Sequence, residues 1–387
     1  MAWDTLRAMS ASVSDSSSVP AWRKALLVGL LIGNRLLLLI VGYVALSFFA
    51  EHLTAGTWRA LPNNPWLDGW LRWDAGWYHN IATHGYDRVI VPGRQSNTAF
   101  FPLLPSLTKG LSLLIGQVAW SGLIVSQLAC LIASLMLFRL VRDRFGFAIA
   151  ERTLLLLYCF PYSLYLSSFH TEPLFLCLVV CAFYYAERRH FLKSALFAAA
   201  ASATRNVGVL LSIGLAISYL ESIEFTPSRL DARALFLLLC PSGLFIHMIY
   251  LWQHCGTPWQ FVLSQAAPGW AGGALLQPSD SVPLLGVMGR LFGHPQLFLF
   301  VIPSVVLLWW ARSKLPLSYL VWALVTLLIS MSSPNSLGRF VTVLFPVFVA
   351  AALLPLSRRS FVLCTSVLTI LLVIQTFRQV LGMWVAG

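Results

Sequence analysis

Charge is what this sequence has least of. Lys, Arg, Asp and Glu make up 10% of its 387 residues, with 14 acids against 26 bases, where soluble domains carry about a quarter. No Walker loop, Rossmann glycine fingerprint or nucleophile elbow occurs, so the usual phosphate-cradling and serine-hydrolase designs are excluded. Six of the seven cysteines (Cys130, Cys159, Cys177, Cys181, Cys240, Cys364) fall in apolar runs and none forms a C-x-x-C pair. They read as small buried apolar residues, not as a disulfide framework or zinc knuckle. The net charge of +12 is scattered singly between apolar runs. It therefore marks loop anchors and not a nucleic-acid surface.

What the chain has instead is apolar length. Hydrophobic residues reach 58% and mean hydropathy is +0.77. Runs such as "ALLVGLLIGNRLLLLIVGYVALSFFA" suffice to cross a hydrocarbon core of about 30 Å. The expectation is an all-α polytopic membrane protein. Spans are predicted near 25–49, 119–140, 152–169, 172–187, 193–220, 234–252, 295–311, 315–332, 337–356 and 361–380. Residues 1–22, Ser-rich, read as a disordered cytoplasmic tail and 23–387 as one integral membrane domain. The first run is about twice the length of a signal-peptide core and reads as a retained span.

Topology follows from the basic residues. Arg7, Arg23/Lys24, Arg139/Arg142/Arg144/Arg152, Arg188/Arg189/Lys193, Arg229/Arg233, Arg312/Lys314 and Arg358/Arg359 supply 16 of the 26 Lys and Arg residues. All should face the cytoplasm. That parity requires "AFFPLLPSLTKGLSLLIG" (99–116) to be re-entrant or interfacial, and the run 193–220 to break at "ATRNVG" (203–208) and cross twice. Such short helices are tolerated where they line a protein-enclosed cavity. With re-entrant pieces counted, about 10–12 helices are expected. Five polar elements then share the non-cytoplasmic face: the loop 51–98, "FHTEP", "ATRN", the loop 253–293 and "SPNSLGRF".

The densest polar chemistry lies in "RWDAGWYHNIATHGYD", residues 72–87. Trp66, Trp70, Trp73, Trp77, Ile81 and His84 recur at steps of four and three, which predicts one amphipathic helix over 66–84. A tryptophan stripe favours the membrane–water boundary. Asp74 flanks it, either as a solvated charge or as a carboxylate held where a headgroup meets water. Arg72, Trp73, Tyr78, His79, His84 and Asp87 are candidate substrate contacts around it. A divalent metal on His79, His84, Asp87 and His170 is conceivable, but the spacing of five between the first two does not place ligands on one helical face. No metal site is assigned.

Elsewhere Glu172, followed by Pro173, is a helix cap or a site acid. Arg205, between two short apolar helices, needs an acid or a bound anion, and Asn206 follows it. Arg339 either snorkels or grips phosphate. Trp259, Gln265 and Trp270 offer either hydrogen-bonding and stacking surface for a sugar or one side of an interfacial helix. An enzyme built on this face, away from nucleotide pools, needs a donor that arrives through the membrane. A polyprenyl-phosphate sugar meets that need with a leaving group already attached. One base, Asp74, and one cation for the departing phosphate, Arg205 or Arg339, suffice.

The order "RWDAGWY…HGYD…AFFPLLP", "FHTEPLF", "ATRNVGVLL", "CGTPWQFVLSQ…W" and "GRFVTVLFP" resembles the PIG-V-like mannosyltransferases, from about residue 20 to 350. The resemblance implies a GT-C glycosyltransferase fold and inverting transfer from polyprenyl-phosphate-mannose, with Asp74 as base. The acceptor would be a lipid-linked or envelope glycan. It also aligns Thr171-Glu172 with a Ser-Glu pair and Arg339-Phe340 with an Arg-Tyr pair, so a hydroxyl is missing at Phe340. With no N-x-S/T sequon, no ER-retrieval tail and no large C-terminal soluble domain, a bacterial inner membrane with the site facing outward is expected. The alternatives are a transporter or flippase of a lipid-linked saccharide, and a scaffold subunit.

Overall fold

The computed structural model describes residues 21–50, 59, 61–91, 93–267, 270, 295–332 and 336–383. Nearly all of the expected 1–22 tail, residues 51–58, 60 and 92 of the loop 51–98, residues 268, 269 and 271–293 of the loop 253–293, and residues 333–335 of "SPNSLGRF" lie outside them. Among the described residues there is no strand. The chain runs through α1 (Ala21–Phe48), α2 (Pro65–Asp68), α3 (Asp74–His84), α4 (Leu103–Ile115), α5 (Val118–Phe145), α6 (Phe147–Cys159), α7 (Glu172–Glu187) and α8 (Phe191–Ser202). It continues through α9 (Leu211–Ser222), α10 (Ser242–Cys255), α11 (Gln260–Gln265), α12 (Ile302–Trp310), α13 (Leu317–Ser330), α14 (Leu337–Thr342), α15 (Phe345–Ala352) and α16 (Arg358–Val380).

Among the described residues four helical stretches are long and apolar enough to cross a membrane: Gly29–Phe48, Val118–Phe145, Ala232–Cys255 and Arg358–Val380. Their outward leucines and isoleucines are exposed, Leu363 and Ile246 among them. No water-soluble fold could leave so much apolar surface uncovered; this is a multi-pass integral membrane protein. Among these elements α7 is the central one, packed against the long α5 on one side and α8 on the other, with α9 also against it. Its first residues from Glu172 through Phe183 are all buried. That central helix begins with an acid, and the site is built at its N-terminus.

The run 193–220 breaks where charge parity required. α8 ends at Ser202, Ala203–Arg205 form the break, and a 3-10 turn Asn206–Leu210 leads into α9. Gly208 makes the break possible: a Cβ there would meet the Ala201 carbonyl oxygen at 2.2 Å. "AFFPLLP…" forms α4, 13 residues and about 20 Å long, too short to cross. Its lipid-facing Leu113 and Leu114 are 81% and 85% exposed. The expected span 152–169 ends as a helix at Cys159 and continues as a buried connector with a 3-10 turn, Ser163–Leu166.

One expectation is corrected. Residues 66–84 do not form a continuous amphipathic helix. α2 stops at Asp68, and α3 begins at Asp74 after Trp73, whose φ of 58° and ψ of −121° break the helix. Such a conformation costs a bulky L-residue about 1–3 kcal/mol. The tryptophans therefore part company: Trp70 is buried, while Trp66 lies exposed against Tyr43 with ring centroids 4.6 Å apart. The kink points the first turn of α3, and with it Asp74, back toward the N-terminus of α7.

Candidate active site

Four chain segments, far apart in sequence, deliver charge to one place. Asp74 opens α3, Glu172 opens α7, Arg205 sits in the break after α8, and Arg339 lies on α14. Arg339 Nη1 donates to Asp74 Oδ2 at 2.7 Å. Its Nε and Nη2 lie 2.9 and 2.8 Å from Glu172 Oε1. Arg205 Nη1 donates to the same Oε1 at 2.7 Å and to Thr171 Oγ1 at 3.2 Å. One carboxylate oxygen thus receives hydrogen bonds from both guanidiniums, in the short charge-assisted range.

Aromatic faces complete the cage. The Arg339 guanidinium lies 4.5 Å over the Tyr165 ring and that of Arg205 4.7 Å over Phe340, both within cation–π range. Phe340, where a hydroxyl was missed, gives Arg205 a ring face. Gly338 allows the close approach of α14: a Cβ there would press into the Tyr162 ring at 2.3 Å. Gln296 Oε1 accepts from the Gly338 amide at 3.0 Å.

The cluster is graded from sealed to open. Side-chain exposure is 0% for Glu172, 9% for Arg339, 12% for Arg205 and 32% for Asp74. Two acids and two arginines balance, so the group is neutral as it stands. Glu172 Oε2 and His170 Nε2 are buried without a hydrogen-bond partner, whereas His170 Nδ1 pairs with Ser168 Oγ at 2.8 Å. Burial, reinforced by Arg339, pushes His170 down to about 4 and keeps its ring neutral. Tyr78 places its hydroxyl 3.4 Å from Thr171 Oγ1. Burial first and Asp74 second raise its phenol well above the ordinary range, so it stays protonated.

The other candidates stand apart from the cluster. Arg72 is 1% exposed and paired at 2.8 Å with Asp68, and its Nε donates to the Val380 carbonyl. That guanidinium is committed to tying the outer stretch to the end of α16. Trp73 is the strained residue ahead of α3. Asp87 Oδ2 accepts from Ser96 Oγ and the Asn97 amide, stapling the loop that follows α3. His84 Nδ1 lies 3.5 Å from Asn80 Nδ2, and the half-buried His79 offers its carbonyl to Thr83. Asn206 is exposed and accepts from the next amide, Val207. Trp270 packs edge-on against Trp77 and Phe100, forming an aromatic wall beside α3. Gln265 ends α11, half-buried. Among the described residues no three metal-ligating side chains gather.

Tyr165 is the site residue that pattern reading missed. Its signal is the spacing "YSLY": Tyr162 and Tyr165 stand three apart in a 3-10 turn, where such residues eclipse. Their rings stack at 6.3 Å.

Residues 99–252 match the family described as dolichyl-phosphate-mannose-protein mannosyltransferase. That region holds Glu172 and Arg205 but neither Asp74 nor Arg339. Among solved structures, ArnT from Cupriavidus metallidurans bound to undecaprenyl phosphate superimposes with a TM-score of 0.52 at 16% identity. The match covers 88% of this chain and 62% of that one. This is the GT-C glycosyltransferase fold. The oligosaccharyltransferase AglB from Archaeoglobus fulgidus, in complex with an inhibitory peptide and a dolichol-phosphate, gives a TM-score of 0.48 at 12% identity, over 94% of this chain and 56% of that one. The chain thus spans about three fifths of the length of the solved structures it resembles. No curated protein matches its sequence. The comparisons reach the GT-C fold; the PIG-V-like subgroup rests on the motifs alone.

Proposed function

We propose that this protein is an inverting glycosyltransferase that moves a sugar, mannose by its motifs, from a polyprenyl-phosphate donor to a lipid-linked or envelope glycan acceptor. By the charge parity of its loops the site faces away from the cytoplasm, in a bacterial inner membrane. The observation that carries the reading is the shared ion cluster, in which the open carboxylate of Asp74 pairs with Arg339 while Arg339 and Arg205 share Glu172. The GT-C fold and the undecaprenyl phosphate bound to ArnT support a lipid-phosphate donor.

The roles follow from exposure and charge. Asp74 takes the acceptor hydroxyl proton, the acceptor oxygen forms the new bond to the anomeric carbon, and the bond from that carbon to the phosphate oxygen breaks. The departing polyprenyl phosphate carries its negative charge onto Arg339 and Arg205. No general acid is needed for so good a leaving group, unlike the carboxylate pair of a glycosidase. Because the cluster is already neutral, an incoming phosphate must exchange with a carboxylate. Asp74 is the exposed one and the one that yields. Donor binding therefore frees the base.

The test is direct. Purified protein in nanodiscs is given polyprenyl-phosphate-mannose and a membrane lipid extract as acceptor. Release of polyprenyl phosphate that disappears in Asp74→Asn supports the reading. Intact donor carried across a vesicle membrane without turnover would establish the transporter instead.

A further inference from the structure

The connector between α6 and α7, residues 160–171, carries the supports of the ion cluster. Tyr165 lies under the Arg339 guanidinium, Thr171 accepts from Arg205, and Glu172 follows directly. Residues 161–171 are all buried, and apart from the 3-10 turn Ser163–Leu166 the segment is irregular. A buried irregular segment has no ladder to join, so its carbonyls must find donors elsewhere.

Three side chains of α1 and α5 supply them. Arg35 Nη2 donates to the Leu166 carbonyl at 3.1 Å, and its Nη1 donates to Ser167 Oγ. Gln127 Nε2 donates to the Ser167 carbonyl at 2.9 Å, and Asn34 Nδ2 to the Tyr158 carbonyl at 3.0 Å. Arg35 also binds both helpers: its Nε donates to Gln127 Oε1 at 2.9 Å and its Nη1 to Asn34 Oδ1 at 2.8 Å. A guanidinium has donors only, so each amide must turn its oxygen toward Arg35 and its nitrogen toward a carbonyl. One arginine thus grips the connector directly and aims the two amides that hold the rest.

Its charge is met within this cage. The Tyr158 ring faces the guanidinium at 5.6 Å, within cation–π range, and Nη2 also lies 2.9 Å from the Cys130 thiol. The five hydrogen-bond acceptors come from α1, α5 and the connector. Reaching all three at once takes a planar fork; a lysine, with one compact nitrogen, keeps the charge and loses the span.

We propose that Arg35 is a positioning residue for sugar transfer, a role that rests on the transferase reading above. Arg35 fixes the connector, and the connector fixes Tyr165, Thr171 and Glu172, which set Arg205 and Arg339 relative to each other. A phosphate bound before reaction can settle on either guanidinium. The charge that develops as the bond to the phosphate oxygen breaks needs both in register. Loss of the Arg35 fork therefore falls on kcat and spares donor binding, the signature of an interaction realised only in the transition state.

Turnover of polyprenyl-phosphate-mannose by the full chain in nanodiscs, normalised to folded protein, tests this in Arg35→Lys and Gln127→Met. In Arg35→Lys kcat should fall about tenfold or more, since small misplacements cost up to about 10²-fold, while the donor KM stays within about twofold. Gln127→Met removes the donor to the Ser167 carbonyl and should show the same split at a smaller factor. It carries the test should Arg35→Lys not fold. A lowered melting temperature with unchanged kcat makes the Arg35 cage purely structural and overturns the proposal. A raised donor KM with unchanged kcat assigns Arg35 to donor binding and overturns it too. Absence of turnover in the native chain removes the transferase reading and this role with it, an outcome distinct from the other two, in which the native chain works.

Discussion

Two acid–arginine pairs start within one short stretch of this chain and serve opposite ends. Asp68 and Arg72 stand four apart, both 1% exposed, and hold their neighbours: Asp68 accepts from the Leu61 amide and Arg72 donates to the Val380 carbonyl. Asp74 and Arg339 come from opposite ends of the chain, with the acid 32% and the arginine 9% exposed, and Arg339 is shared with Glu172. The first pair is closed on all sides and has no face left for a ligand. The second has one open side and a spare partner for its arginine, so an anion can enter by exchange. A pair that welds the fold together and a pair that works on a substrate differ in exposure and in shared partners, not in residue type.

The sharpest way to break that comparison is at Asp74. Asp74→Asn should lower turnover by about 10²–10⁴-fold, the range for loss of a general base. Donor affinity, measured with a non-hydrolysable polyprenyl phosphonate, should rise because the competing carboxylate is gone. Near-normal turnover removes Asp74 as base. Unchanged donor affinity leaves the base in place but ends the exchange argument.

Next in size is the sealed pair. Arg72→Met leaves Asp68 buried and unpaired, which costs about 3–5 kcal/mol and should appear as a clear drop in melting temperature in detergent. Turnover per folded molecule should stay within about twofold. A loss of turnover without loss of stability would return Arg72 to the substrate and erase the contrast. A smaller effect is expected at Arg205→Lys, which keeps the charge but loses the planar fork. Turnover should fall about tenfold, about 1.4 kcal/mol, with the melting temperature little changed.

These contrasts also show what pattern reading could reach. The all-helical membrane fold, the break at Ala203–Arg205 and the gathering of Asp74, Glu172, Arg205 and Arg339 on one side all follow from hydropathy and the placement of basic residues. Each depends on constraints the membrane imposes everywhere, namely apolar length and charge parity. Arg72 is beyond such reading, because its partner at Val380 is more than three hundred residues away and composition gives it the same weight as Arg339. The helix expected over 66–84 fails for a local reason. A period of three and four is blind to one strained dihedral, and Trp73 spends it. Tyr165 escapes because a cation–π face has no charge pattern.

The mildest test sharpens the difference at the sealed back of the open pair. His170 lies under the cluster, fully buried, and burial followed by the Arg339 charge holds it down to about 4, against an unfolded value of about 6.5. Between those values the unfolded chain binds the extra proton and the folded chain does not. The contribution to stability is therefore complete above about pH 6.5 and is lost as pH falls toward 4. Melting temperature should decline between pH 7 and pH 5 in the native protein and decline less in His170→Gln. Equal slopes would mean that the ring takes up a proton in the folded state, next to two arginines. That would require a negative charge from the cluster, from Glu172 first or Asp74 second, to stabilise the protonated ring.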